Sequence, residues 1–121
     1  MDRKLSWGTG MKVLKVEETP STRVEPGRAS KPLVSAAIGA KNVQIIWMEV
    51  PAGWESDVQT RDVEEILYVL SGKCAITTDS EKVIGTAGTL IYIPPGETHQ
   101  HHNIGDQTFS QLVIFAPPLE S

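Results

Sequence analysis

The 121-residue chain holds a single cysteine, Cys74, so no intrachain disulfide can form and a disulfide-stapled secreted scaffold is excluded. Positive charge is not in excess. Lys and Arg number 11 against 15 Asp and Glu, giving a net charge of −4 and a pI near 5.3. A nucleic-acid binder usually needs a basic footprint, so that class is set aside. No apolar run approaches the ~20 residues that span a bilayer. The N-terminal residues carry charge with no apolar stretch behind them, so no signal peptide is expected. The expectation is a cytoplasmic protein with no membrane partner. Histidine is scarce as well: the three histidines, His99, His101 and His102, all fall within four consecutive positions.

The 40% hydrophobic content is ordinary for a globule that buries a core. Its apolar residues come in short runs at 11–16, 33–38, 43–50, 66–70, 74–78, 90–93 and 109–115, separated by Gly, Pro, Asp and Ser. Short runs with this punctuation predict strands of an all-β sandwich or barrel, and no segment keeps helical periodicity for three turns. One domain over 1–121 accounts for the length, with its core about 33–117. The polar stretch 17–32 contains Pro20, Pro26 and Gly27 and predicts a long surface loop. Its Arg23, Arg28 and Lys31 either face an anionic ligand or are simply solvated.

Two segments carry the chemistry. The first reads G-x5-Q-x-R-x3-E-x6-G through Gly53, Gln59, Arg61, Glu65 and Gly72. The second reads G-x5-P-x-G-x2-H-x3-N through Gly88, Pro94, Gly96, His99 and Asn103. Residues two apart on an extended strand share a face. Gln59 therefore shares a face with Arg61, and His99 with His101, and an extended path brings Glu65 to the same side. His102 and Glu64 should face outward. Asn103 should fix a turn through its side chain.

Together the two segments resemble the signature motifs of the cupin superfamily over roughly residues 45–117, with a 15-residue stretch between them like that of small single-domain cupins. The resemblance implies a double-stranded β-helix, or jelly-roll barrel, commonly paired as a homodimer. It also implies one divalent metal, bound by two histidines and a glutamate of the first motif and a histidine of the second. Here Gln59 and Arg61 replace the two first-motif histidines, so Glu65 and His99 are the retained ligands. His101, and Gln59 or Asp57 through oxygen, would complete a set that suits zinc, iron, nickel or manganese. Arg61 opposes this. At an effective dielectric of about 20, a guanidinium some 5 Å from a divalent ion costs roughly 7 kcal/mol before relaxation.

The residues thus pose two alternatives. In one, the protein is an enzyme of isomerase, cyclase or lyase type, with Glu65, His99 and Arg61 as catalytic groups and Gln59, Arg61, His101, Tyr68 and Tyr92 contacting a small-molecule ligand. In the other, Arg61 fills the metal's place beside Glu65, and the barrel binds or senses an anion without catalysis. A mainly structural, oligomeric role is a third reading, because an exposed N-terminal strand over 11–16 would be an edge that needs cover. Trp54 is a candidate lid or dimer contact, Trp47 a core residue, and Cys74 a small buried hydrophobe.

Overall fold

The computed structural model describes residues 10–25 and 27–119, with the backbone alone for 23–25. Nine strands carry its regular structure: β1 (Arg23–Glu25), β2 (Arg28–Val34), β3 (Gln44–Val50), β4 (Glu64–Ser71), β5 (Lys73–Thr77), β6 (Lys82–Thr86), β7 (Leu90–Ile93), β8 (Gln100–Asn103) and β9 (Phe109–Ala116). Single 3-10 turns lie at Val16–Glu18 and Ala36–Ile38. Among the described residues no helix is long and apolar enough to cross a membrane.

Six strands form one antiparallel sheet in the order β1-β2-β3-β9-β4-β7, and three form a second in the order β6-β5-β8. Residues 53–59 extend the second sheet irregularly beside β8, through bridges Glu55↔His102 and Gln59↔His99. Alternation decides what each strand buries. On β4, Glu65, Leu67 and Val69 point inward while Glu64 and Tyr68 are exposed. On β9, Phe109, Gln111, Val113 and Phe115 are buried. The apolar end of the interior is packed by Val50, Leu67, Val69, Cys74, Ile76 and Phe109. Burial pushes the Cys74 thiol up to about 11, against the opposing effect of a backbone contact at Gly85, so the thiol is a small inert hydrophobe.

Gly72 makes the tight β4–β5 connection. Its φ is +88°, and an added Cβ would lie 2.8 Å from the Phe109 Cα. Only glycine fits that backbone conformation and that approach. Asn103 ties the connection after β3 to the one between β8 and β9, its amide donating to Val50 O, Pro51 O and Gln107 O while its Oδ1 accepts from Gly105 N–H.

The expected strands over 43–50, 66–70, 74–78, 90–93 and 109–115 correspond to β3, β4, β5, β7 and β9. Four expectations are corrected. Residues 11–15 form no strand, and 16–18 are a 3-10 turn, so the edge assigned to that segment does not exist. The stretch 17–32 is no long loop: it folds into the β1–β2 hairpin and most of β2. Pro32 is tolerated in β2 because β1 pairs only as far as Ser30, and the β2–β3 register shifts just beyond Pro32. The expected strand over 33–38 ends at Val34. Trp47 is not core. It alternates with buried Met48 onto the outer face, where the Lys31 ammonium lies 4.9 Å from its ring centroid.

Candidate functional site

The interior opposite the apolar end is polar, and local structure dictates which groups reach it. The 94–96 turn closes with Gly96 at φ +85°, its N–H donating to Arg61 O at 2.7 Å. That bond fastens the turn before the histidines to the segment after Gln59. Gln59 and His99 then exchange both backbone hydrogen bonds, at 2.8 and 2.9 Å. Farther along, Ser56 fixes β8, its N–H donating to His101 O and its Oγ accepting from His101 N–H, each at 3.0 Å. Glu65 enters from β4 on the opposite sheet. His99, His101 and Glu65 are 2, 6 and 3% exposed.

These three residues converge, one ligating atom of each lying within 4.8 Å of the others. His99 Nδ1 stands 2.9 Å from Glu97 O. A carbonyl only accepts, so Nδ1 carries the proton and Nε2 of the neutral ring bears a lone pair. That Nε2 lies 3.3 Å from Glu65 Oε1. Both atoms are buried, and neither has a hydrogen-bond partner among the described residues. Two buried acceptors facing each other need a positive charge or a proton between or beside them. Carboxylate proximity accordingly raises the His99 pKa above its ordinary value, against the opposing effect of burial.

His101 behaves differently. Burial, its dominant influence, lowers its pKa to about 4, so the ring is neutral at ordinary pH. Its Nδ1 lies 3.5 Å from the amide nitrogen of Gln111, whose side chain is fully buried and whose Oε1 has no partner. An amide nitrogen donates, which places the neutral imidazole's proton on Nε2. A half-turn of the amide would instead let Nδ1–H donate to Oε1, freeing Nε2 as a metal donor. Gln111 therefore positions His101.

Arg61 approaches the same carboxylate, its Nε lying 3.4 Å from Glu65 Oε1. Its guanidinium carbon lies 5.2 Å from the Phe115 ring centroid, and the side chain is 27% exposed. It lines both the cavity and a shallow groove formed with Thr60, Pro95 and Gly96. The cavity itself has a volume of about 430 Å³, with Ile46, Met48, Trp54, Val113 and Phe115 as its apolar wall and Gln59, Arg61, Glu65, His101 and Gln111 among its polar groups. A buried carboxylate and two imidazoles fit a divalent ion in number and chemistry, and the unpartnered Glu65 and His99 atoms fit it too. Arg61 cancels the charge of Glu65 and so lowers the attraction for a cation.

The structure thus brings together Gln59, Arg61, Glu65, His99 and His101. It does not bring Tyr68 or Tyr92 to the cavity. They are 37 and 51% exposed on the outer face, and Tyr92 donates to the Glu64 carboxylate. Asp57 is exposed, so it is not a fourth ligand. His102 lies outside beside Glu55, with Nδ1 3.7 Å from its carboxylate. Trp54 is a cavity wall that packs against the Gly27 turn. Gln111, Ser56 and Arg28 line the cavity as well. Of these, Gln111 had a signal: one amide among the otherwise apolar alternate positions Phe109, Val113 and Phe115 of β9. The Arg23 side chain lies outside the described residues, and Lys31 turns outward, donating to Val16 O.

The Cupin domain family model matches residues 46–115. An uncharacterised protein of Streptomyces coelicolor is 30% identical over 78 residues, covering 64% of this chain and 73% of its own length. Among solved structures, the polyketide cyclase RemF from Streptomyces resistomycificus superposes with a TM-score of 0.78 at 24% identity, over 89% of this chain and 80% of that one. A predicted oxalate decarboxylase from Thermotoga maritima gives 0.77 at 21% identity, over 88 and 99%. At these identities the likeness to both structures concerns the fold.

Proposed function

Because the chain belongs to the cupin family, we propose that it binds a small molecule in the barrel cavity and promotes proton-transfer chemistry on it at a metal centre held by Glu65, His99 and His101. The observation that carries this reading is the pair of buried atoms without a hydrogen-bond partner, His99 Nε2 and Glu65 Oε1, 3.3 Å apart beside a neutral His101. A divalent ion there supplies Lewis acidity toward an oxygen of the ligand.

The chain's own residues do the rest. Glu97 O holds the His99 ring in its Nε2-donor tautomer. Arg61, at the mouth, orients an anionic group of the ligand and offsets negative charge that develops as a proton leaves. The apolar wall of Ile46, Met48, Val113 and Phe115 packs against the carbon skeleton of the ligand. Isomerase, cyclase and lyase reactions all fit this division of labour. The test is metal content of protein purified without an affinity tag, followed by assay of proton exchange into candidate acids with and without the metal.

A second reading is favoured by one contact, Arg61 Nε to Glu65 Oε1 at 3.4 Å. Here the guanidinium and a protonated His99 balance Glu65, and the cavity binds or senses an anion without turnover. Stoichiometric anion binding by a metal-free protein that leaves every candidate unchanged would establish it.

We further propose that the protein is a cytoplasmic homodimer. Tyr68 opposite Leu90 and Ile66 opposite Tyr92 form an outward apolar strip on β4 and β7, and a second copy would cover it. Light scattering at micromolar concentration tests this, and a monomer would contradict it.

A further inference from the structure

The cavity has a second cation, at its far end. Arg28 sits at the start of β2 and lines the cavity, and its buried Nε has no hydrogen-bond partner. Sheet register shows how far it lies from Arg61. Phe115, under the Arg61 guanidinium, pairs with Gln44 and Glu65 in one row across the sheet. Gln111 pairs with Met48, and Met48 with Ser30, in another. Four residues of β9 separate these rows, about 13 Å of extended strand. Arg28 lies two residues beyond Ser30, away from the Arg61 end. Between the two arginines run the apolar side chains of Ile46, Met48 and Val113.

The charged residues lining this slot are Arg28, Arg61 and Glu65. Glu65 lies beside Arg61, and no carboxylate of the cavity lining is paired with Arg28. A buried N–H without an acceptor, such as the Arg28 Nε–H, is costly unless a ligand supplies one. Guanidinium geometry matches carboxylate, in a bidentate fork.

We infer that the cavity takes a linear dicarboxylate, one carboxylate on Arg28 and the other on Arg61, with its carbon chain along Ile46, Met48 and Val113. The inference rests on the small-molecule cavity reading above and adds the ligand class. A chain held this way passes His101 and Gln111, which line the same cavity. A single anion, such as a phosphate group, would engage one arginine and leave the other without a ligand.

The test is isothermal titration of the full-length protein with the dicarboxylates from malonate to suberate, and with the monocarboxylate of equal carbon number for each. One length in the series should bind at least about tenfold tighter than its monocarboxylate partner. Arg28→Gln should bring that dicarboxylate down to the monocarboxylate level while leaving the monocarboxylate within about twofold. Arg28→Lys should recover part of the loss, which separates charge from misfolding. Equal affinity for both acids, equal losses on Arg28→Gln, or no dicarboxylate binding at millimolar concentration would each overturn the clamp. So would inorganic phosphate competing as well as the best dicarboxylate. A metal-bearing protein that binds no dicarboxylate refutes the clamp alone, and a metal-free protein that binds one refutes the metal centre alone.

Discussion

Glu65 Oε1 and His99 Nε2 face each other 3.3 Å apart, and Glu97 O holds the proton of the neutral imidazole on the far nitrogen. That relationship ties a backbone carbonyl to the chemistry of the cavity. Glu65→Gln keeps the shape and removes the charge. It should weaken divalent-metal binding by more than the roughly 10–100-fold that loss of an outer-shell partner costs, and it should lower the His99 pKa in the metal-free protein. Metal titration and histidine NMR check both. Unchanged metal affinity would remove Glu65 from the centre.

Stability should fall on acidification because His101 is buried neutral. The unfolded chain takes up a proton below about 6.5, whereas the folded ring does so only near 4, so acid favours unfolding between those values. The full difference is about 3 kcal/mol. His99 works the other way: its raised pKa adds stability that is complete at low pH and lost as pH rises through the folded value. Urea denaturation of chelator-treated protein from pH 7 to 4 should show the decline, and His101→Asn should flatten it. A decline unaltered in that variant would mean that other groups cause it.

Arg61 opposes cation binding, so its removal should strengthen it. Arg61→His, and more so Arg61→His with Gln59→His, should raise zinc or nickel affinity by at least about tenfold. Competition against a chromogenic chelator measures this. Equal affinity would show that the guanidinium swings clear of the centre at no cost.

Gly72→Ala should destabilise the fold by roughly 2–4 kcal/mol, from the left-handed backbone and from the clash with Phe109. Thermal unfolding checks it. A shift within experimental error would mean that the β4–β5 connection relaxes freely.

Much of this was legible in the sequence, and the failures have physical causes. The glycines, Pro94, His99 and Asn103 carried the barrel because tight turns constrain residue type at fixed spacing. The hairpin over 23–34 was hidden because proline is compatible with a strand only where no neighbour needs its N–H, and that is known only once β1 is seen to stop short of Pro32. Tyr68 and Tyr92 were misplaced although parity gave the answer: Tyr68 is an odd number of residues from Glu65, and Tyr92 lies next to inward Ile91 and Ile93. Gln111 and Arg28 join the site through pairings between strands remote in sequence, which no local pattern encodes.

The most direct measurement is metal analysis of untagged protein after reconstitution with zinc, iron, nickel or manganese and removal of excess, beside a His99→Ala variant. About one equivalent of one of these metals in the natural chain, lost in the variant, is the predicted result. Trace metal in both would contradict the centre built on Glu65, His99 and His101.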